Sequence, residues 1–347
     1  MDSPKYSSFT ILETTYKVVS NHAINVYTLI PKTVLSSTSP SPSPRPIIVK
    51  FHGGFLITGT ALYADWFSDW LVEYALLHSA VVVCPNYRLA PEATGSEIMQ
   101  DLRDFWTWLA TSFPAYLAAA SPGVEVDLGR VLSTGESAGG YLSVQSALDA
   151  ASPSASPSPG MMKIRAAIAL YPVLDLKARF YTEEYSTPKV VLGAPTIPKE
   201  VMAAHLASIE EDAKHGRPRR VISSATPPER LPLCLSMVQQ GLMTKLLGDE
   251  KILFPLERLD DILPTGAEAV PPILIIHGRD DSAVPVEGSE KWTAKAREKL
   301  GDDKVMLVVQ PGEHGFDTAE NGVTLDTAWL KEALGPVTAA WLGTTTA

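Results

Sequence analysis

A serine flanked by glycines lies near the middle of the chain, in Gly135-Glu136-Ser137-Ala138-Gly139. It follows the apolar run Arg130–Thr134 and precedes a segment of helical period, the strand-turn-helix setting of a nucleophile elbow. The glycines remove side chains that would collide, so the serine oxygen is exposed. The start of the following helix adds positive partial charge near the Ala138 amide. We therefore predict Ser137 as a nucleophile for acyl chemistry and Ala138 as an oxyanion donor.

A base must accompany this serine, because an unassisted hydroxyl is a weak nucleophile at neutral pH. If the partners follow in the order serine, acid, histidine, His314 is the histidine that comes after a credible acid. It lies just beyond the apolar run Val305–Val309, in a loop at the carboxyl end of a predicted strand. We predict His314 as the general base.

The acid that orients the histidine should come from the loop after the preceding strand. The loop His277–Pro285 carries two neighbouring carboxylates, Asp280 and Asp281. Both are candidates on position alone.

A glycine pair follows the early apolar run Pro46–Lys50, and its small residues let backbone amides approach a developing negative charge. We predict Gly53 and Gly54 as further oxyanion donors, with His52 orienting the loop. No metal or other cofactor is expected, because the histidines lack His-x-x-x-His spacing and the cysteines, Cys84 and Cys234, stand alone. Both thiols are expected to be free and buried.

The elements that position these groups alternate along the chain. The apolar runs predicted as strands are Pro46–Phe51, Ala80–Pro85, Arg130–Thr134, Ile164–Tyr171, Pro272–Ile276 and Val305–Val309. The segments of helical period are Leu62–Leu77, Glu97–Thr111, Tyr141–Ala150, Ser289–Leu300 and Thr324–Trp341. This pattern predicts an α/β fold with a mostly parallel sheet, helices on both faces, and chemistry at the carboxyl ends of the strands.

Three regions depart from this alternation. Lys17–Pro31 predicts an antiparallel hairpin at one sheet edge, which makes the sheet mixed. Asp175–Val270 is rich in proline and charge and predicts an inserted helical cap, so that residues 1–174 and 271–347 form the core. Ser36–Pro46 and Ala151–Gly160 are rich in proline and serine and predict surface loops.

Composition limits the classes of partner and location. Among 347 residues, 45% are hydrophobic and 20% charged, as is typical of a folded globular protein. The formal charge of −10 comes without a basic stripe, so no nucleic-acid partner is expected. The segment Met1–Thr15 lacks the features of a secretory signal, and no run of 18 apolar residues occurs, so we expect a cytoplasmic protein with no membrane partner.

Several motifs together resemble the hormone-sensitive-lipase-like branch of the α/β-hydrolases. They are His52-Gly-Gly-Phe55, Asn86-Tyr-Arg-Leu-Ala-Pro-Glu92, Gly135-Glu-Ser-Ala-Gly-Gly140, His277-Gly-x-x-Asp281-x-x-Val-Pro285 and His314-Gly-Phe316. The resemblance implies an α/β-hydrolase fold with a cap, a carboxylic ester or lactone as substrate, and Asp281 as the acid. The chain departs from the family at Phe55, where a third glycine is usual; Phe55 could offer its own amide if the loop accommodates its side chain.

Three functions follow from this resemblance. Ester hydrolysis through Ser137, His314 and Asp281 is the first. A biosynthetic lactonase, thioesterase-like or acyl-transfer enzyme of secondary metabolism is the second. A non-catalytic small-molecule receptor is the third, and the retained His314 argues against it. Leu231–Leu247 of the cap either lines an acyl pocket or packs against the core, and the sequence leaves a homodimer open.

Overall fold

The computed structural model describes residues 3–36, 43–151 and 162–344. The predicted proline- and serine-rich loops lie mainly outside these ranges. Within the described residues of the first loop, Arg45 and Pro46 already belong to a strand.

All the predicted strands belong to one sheet. The strands are Phe9–Val19 (β1), His22–Pro31 (β2), Arg45–Phe51 (β3), Val81–Pro85 (β4), Val126–Glu136 (β5), Ile164–Leu170 (β6), Ile273–Gly278 (β7) and Val305–Gln310 (β8). Their spatial order is β1-β2-β4-β3-β5-β6-β7-β8. β1 and β2 form the predicted edge hairpin, but β1 begins at Phe9 and not at Lys17, so most of this strand was not predicted. β2 pairs antiparallel with β4, and the remaining pairs are parallel. The predicted fold class, a mostly parallel mixed sheet, is confirmed.

The register of the parallel strands determines where the chemistry can lie. β4 and β7 are buried along their whole length, because runs of Val, Ile and Leu without polar alternation suit strands covered on both faces. Phe51 pairs with Gly135, Glu136 with Leu170, and Gly278 with Gln310. The carboxyl ends of β3, β5, β6, β7 and β8 therefore meet at one edge of the sheet, which is where such sheets place their ligands.

Helices connect the strands. The longer ones are Asp69–Leu77 (α1), Gly95–Thr111 (α2), Phe113–Ala120 (α3), Ala138–Asp149 (α4), Lys199–Lys214 (α5), Leu231–Gln239 (α6), Glu287–Leu300 (α7) and Ala328–Leu342 (α8). The shorter helices are Lys32–Leu35, Arg179–Thr182, Met243–Leu247, Pro255–Arg258 and Pro264–Ala267. Turns of 3₁₀ type lie at Pro4–Tyr6, Ala64–Trp66, Lys251–Leu253, Leu259–Asp261 and Ala319–Asn321.

Two predicted helices begin later than expected. The one predicted over Thr324–Trp341 begins at Ala328, and the difference is larger in α1. The periodicity predicts a helix over Leu62–Leu77, but the helix begins at Asp69. Lys5 Nζ binds the carbonyl oxygens of Ala64 and Phe67 at 2.8 and 2.6 Å, and Ser68 is extended, with φ −57° and ψ 134°. A contact distant in sequence thus holds a segment that forms one 3₁₀ turn, Ala64–Trp66, in place of the predicted α-helix.

The segment between β6 and β7 contains helices and, in its described residues, no strand of the sheet. Its α6 residues Leu233 and Met237 share an apolar cluster with Phe55 and Val173 of the sheet side. The cap boundaries at 175 and 270 stay a prediction. Across the described ranges, no helix is both long enough and apolar enough to span a bilayer.

Candidate active site

Ser137 occupies a strained turn between β5 and α4. Its φ is 56° and its ψ −118°, a backbone conformation that costs an L-residue on the order of 1–3 kcal/mol. A Cβ on Gly139 would lie 2.1 Å from the carbonyl oxygen of Phe51, so only glycine allows β3 and α4 to approach this closely. The turn is anchored by the Ser137 amide, which donates to the Leu170 carbonyl at 2.8 Å. The strand-turn-helix context predicted from the sequence is present.

The structure brings His314 and Asp281 together across the ends of β7 and β8. Nδ1 of His314 lies 2.7 Å from Oδ2 of Asp281. The neighbouring Asp280 instead accepts a hydrogen bond from the Gly312 amide at 2.9 Å, so it braces the histidine loop from the side. Of the two carboxylates considered from the sequence, Asp281 is therefore the one that contacts the imidazole.

Asp281 is buried and held in its ionised form. The Ala283 and Val284 amides donate to its Oδ1 at 2.9 and 2.7 Å. Burial alone would raise the pKa of Asp281, but hydrogen bonds from His277 and His314 outweigh burial and lower this pKa to about 2. The carboxylate is thus a permanent anion beside the imidazole at neutral pH.

His277 is a second imidazole at the same carboxylate. Its Nε2 lies 2.8 Å from the Val284 carbonyl and 3.3 Å from Oδ2 of Asp281. A carbonyl oxygen only accepts, so Nε2 carries the proton, and Nδ1 is left to Ser289 Oγ at 2.8 Å. His277 therefore contacts the same oxygen of Asp281, Oδ2, that His314 binds.

Ser137 and His314 line the same cavity. Among the described residues, Ser137 Oγ forms no hydrogen bond, and the structure contains no direct bond between it and the imidazole. Catalytic hydrogen bonds are often long in an unliganded site and tighten when substrate binds. The ring of Tyr171 packs edge-on against His314, with ring centroids 4.5 Å apart.

The amide of Gly53 differs from the sequence expectation. It donates to Oε1 of Glu136 at 3.0 Å and so already has a charged acceptor. Gly53 is therefore not a free oxyanion donor in this structure, because one N–H cannot serve the carboxylate and an oxyanion equally well.

Other amides around Ser137 differ from that of Gly53, because they have no acceptor in the part of the chain that the structure describes. Within the described ranges, the N–H groups of Gly54, Phe55 and Ala138 donate to no protein acceptor. Phe55 has φ 52°, and its ring packs against Tyr181 of the cap with centroids 6.2 Å apart. The loop thus accommodates the Phe55 side chain, which was the condition for its amide to replace that of a third glycine.

A buried ion pair lies beneath these amides. Lys50 Nζ is 2.9 Å from the Glu136 carboxylate, and both side chains are at most 5% exposed. Burial raises the pKa of Glu136, while Lys50 opposes that rise.

His52 stacks on Tyr87, with ring centroids 4.3 Å apart. Burial lowers the pKa of His52 to about 3, so this imidazole is neutral. It orients the loop through the contact of its Nδ1 with the Gly53 carbonyl.

The cavity has a volume of about 150 Å³, and its lining combines apolar side chains with carboxylates. The cap contributes the apolar side chains of Val191, Leu192, Leu231, Cys234 and Leu235. The lining outside the cap includes the carboxylates of Asp65, Glu136 and Asp317, and no lysine or arginine belongs to the described lining. Asp317 is buried and accepts hydrogen bonds from Ser68, Trp70 and Tyr171 at 2.6, 2.8 and 2.9 Å.

Several of these residues escaped sequence reasoning. Lys50 carried a signal, since a lone charge within an apolar strand predicts a buried partner. Glu136 lay inside the serine motif but had no evident role. Tyr171 and Asp317 gave no local signal, because their contact joins positions far apart in the chain. Cys84 and Cys234 are free and buried as expected, and burial raises the pKa of each thiol to about 12.

Comparisons with known proteins identify the family of this chain. Residues 48–241 match the family described as alpha/beta hydrolase fold, and residues 253–336 match the prolyl oligopeptidase family. A probable carboxylesterase, M8 of a Phoma species, is 31% identical over 98% of this chain and 100% of its own length.

Two further similarities extend over most of the chain. The non-reducing polyketide synthase stbA of Stachybotrys bisbyi is 26% identical over 91% of this chain, which spans 14% of that synthase. An esterase of Pyrobaculum calidifontis has the same fold, with a TM-score of 0.55 and 19% identity over 96% of this chain and 85% of that one.

Proposed function

This chain belongs to the hormone-sensitive-lipase-like branch of the alpha/beta hydrolase fold family, and on that premise we propose that it hydrolyses carboxylic esters with Ser137 as nucleophile. The observation that carries the proposal is the 2.7 Å contact between His314 and Asp281, at the rim of the cavity that Ser137 also lines. Similarity to the Phoma carboxylesterase along the whole chain supports the same reaction.

The reaction begins with the imidazole. Asp281 accepts the Nδ1 proton of His314, which leaves the Nε2 lone pair available as a base. As Ser137 Oγ attacks the ester carbonyl, Nε2 takes the hydroxyl proton and later donates it to the departing alcohol. An acyl-enzyme on Ser137 results, and a water molecule, activated by the same imidazole, releases the acid.

The negative charge on the tetrahedral oxygen is assigned to the amides of Gly54, Phe55 and Ala138. All three are free of protein acceptors in the described structure, and Ala138 begins helix α4, whose N-terminal dipole favours an anion. Each such donor contributes on the order of 3 kcal/mol to lowering a barrier of this kind. Gly53 instead fixes the segment through Glu136.

The cavity favours small, uncharged esters or lactones. The apolar side chains of Leu231, Cys234 and Leu235 line the cavity and suit a short acyl chain, which supports the acyl-pocket alternative for the start of Leu231–Leu247. The carboxylates of Asp65 and Asp317 repel an anionic substituent on the substrate, and the described lining contains no lysine or arginine that would compensate. The proposed partner is a small molecule of this class, and the proposed location is the cytoplasm.

A second candidate is acyl transfer or thioester cleavage in secondary metabolism. The similarity to a region of a polyketide synthase over 91% of this chain favours it. The two candidates share the acyl-enzyme and differ in the acceptor that removes the acyl group. Product analysis with a simple acyl ester, a matched acyl thioester and an added alcohol separates hydrolysis from transfer.

Substitution of the nucleophile tests the proposal. Ser137→Ala should lower turnover of p-nitrophenyl butyrate by about 10⁴-fold or more while the protein stays folded. Ser208→Ala, at an exposed serine of α5, is the control and should retain full turnover. Retained turnover in Ser137→Ala would reject the assignment.

A further inference from the structure

The loop after Gly53 has a strained backbone. We define the oxyanion loop as residues 54–59. Gly54 and Gly59 have φ of 103° and 108°, and the two L-residues Phe55 and Leu56 both lie in the left-handed region, at 52° and 62°. Consecutive L-residues persist in this region only when surrounding structure imposes it.

Part of that support comes from the cap. Gly59 and Ala225 exchange two backbone hydrogen bonds of 2.8 Å each, as in a single antiparallel bridge. The Thr58 hydroxyl donates to the Glu229 carbonyl at 2.7 Å. A short piece of the cap, residues 225–230, thus lies along the second half of the oxyanion loop.

Arg230 completes this contact. Its Nε donates to the Ile57 carbonyl at 2.8 Å and its Nη2 to the Ala90 carbonyl at 2.7 Å. The guanidinium also binds both oxygens of Glu92, at 3.0 and 2.7 Å, and its side chain is only 10% exposed. A guanidinium held by a bidentate carboxylate has a fixed orientation, so its remaining donors are fixed as well.

Two planar peptide groups connect Arg230 to the proposed oxyanion site. The Ile57 carbonyl that receives Arg230 Nε shares its peptide plane with the Thr58 amide, which donates to the Gly54 carbonyl at 3.1 Å. That Gly54 carbonyl shares its own plane with the Phe55 amide, one of the free donors beside Ser137. Fixing the Ile57 carbonyl therefore restricts the direction of the Phe55 N–H.

We infer that Arg230 of the cap is a positioning residue for the oxyanion donors, which it orients through the Ile57 and Gly54 peptide groups while Glu92 holds its guanidinium. The inference rests on the proposed function. It makes the cap part of the catalytic arrangement as well as a wall of the cavity. Removing the hydrogen bonds of the Arg230 guanidinium should weaken binding of the transition state more than binding of the substrate.

The test compares Arg230→Met with Arg217→Met. Methionine keeps the apolar stem and removes the donors, and Arg217 is a 57% exposed arginine of the same cap that pairs with Asp212. We expect kcat of Arg230→Met to fall by about 100-fold, the scale of a small misplacement at a reacting centre, with KM within about threefold of the control. In Arg230→Ala, added guanidinium ion below its denaturing range should restore part of kcat, whereas sodium ion should not.

Hydrogen–deuterium exchange gives a readout that does not depend on turnover. The peptide covering residues 54–59 should exchange faster in Arg230→Met than in Arg217→Met, because the Ile57–Thr58 peptide loses its anchor. Unchanged exchange of this peptide, or a kcat equal to that of the control, would overturn the inference. If Arg230→Met does not fold, Arg230→Lys, which keeps a charge but lacks the fork, is measured in the same way. The exchange measurement tests the role of Arg230 even if the unmodified protein cleaves no ester. Failure of the proposed function can therefore be distinguished from failure of this inference.

Discussion

The carboxylate of Glu136 accepts a hydrogen bond from the Gly53 amide at 3.0 Å. This bond ties the residue before Ser137 to the segment that leads into the oxyanion loop. The same carboxylate is paired with Lys50, and burial of all three groups makes the arrangement rigid. The relative position of the serine and the oxyanion donors therefore depends on one buried ion pair.

Breaking this pair should destabilise the fold. Glu136→Gln leaves the Lys50 ammonium buried without a counter-charge, and we expect the free energy of unfolding to fall by about 3–5 kcal/mol, measured by urea denaturation at pH 7. Replacing both residues in Lys50→Met/Glu136→Leu should cost less, because no isolated charge remains. A loss below about 1 kcal/mol in the single variant would contradict the role assigned to the pair.

Asp281 should make the free energy of unfolding depend on pH in the acidic range. Its pKa of about 2 in the folded protein lies below the ordinary value of 3.8, so the folded state prefers the ionised form. This contribution, on the order of 2 kcal/mol, is present above pH 4 and is lost as the pH falls from about 4 to about 2. Unfolding free energies at pH 6, 4 and 2.5 should therefore converge between the unmodified protein and Asp281→Asn. Parallel curves would contradict the depressed pKa.

Most of the fold was predictable from the sequence, for a physical reason. Strands covered on both faces are apolar throughout, so β3 to β8 appeared as continuous runs, and β2 with the end of β1 appeared as alternation from Lys17 onward. The start of α1 was not predictable from local periodicity, because the segment before it is held by contacts with Lys5, far away in the chain.

The site residues were predicted where a local sequence motif marks them, and were missed where a contact between distant residues defines their role. Ser137, His314 and Asp281 lie in short motifs at strand ends, where spacing carries information. The hydrogen bond between Gly53 and Glu136 joins residues 83 positions apart in the chain. The hydrogen bond between Arg230 and Ile57 joins residues 173 positions apart. Only the folded chain brings such pairs together, so no local pattern identified Arg230 or removed Gly53 from the donors.

Filling the apolar wall should change the preference for acyl length. Cys234→Phe places a ring in a cavity of about 150 Å³. We expect kcat/KM for p-nitrophenyl octanoate to fall by more than about 10-fold, and that for the acetate to stay within about threefold, because only the longer chain needs the lost volume. Cys84→Ala, at the buried cysteine that does not line the cavity, is the control. Equal losses on both esters would contradict an acyl site at Cys234.

The acidic wall should discriminate against anionic esters. p-Nitrophenyl butyrate and p-nitrophenyl hemisuccinate have acyl groups of similar size and differ in one negative charge. We expect the butyrate to be preferred by about 10-fold or more at low salt, and this ratio to shrink in Asp65→Lys, which places a cation at the exposed rim. A ratio unchanged by Asp65→Lys would show that charge at this rim does not govern selectivity.

Covalent labelling by a fluorophosphonate, read by intact mass and peptide mapping, tests the central claim most directly. The account predicts one adduct, on the peptide containing Ser137, formed rapidly in the unmodified protein, absent in Ser137→Ala, and slowed by about 10³-fold or more in His314→Ala because the base is missing. Labelling of another residue, or equally fast labelling of Ser137 without the imidazole of His314, would contradict it.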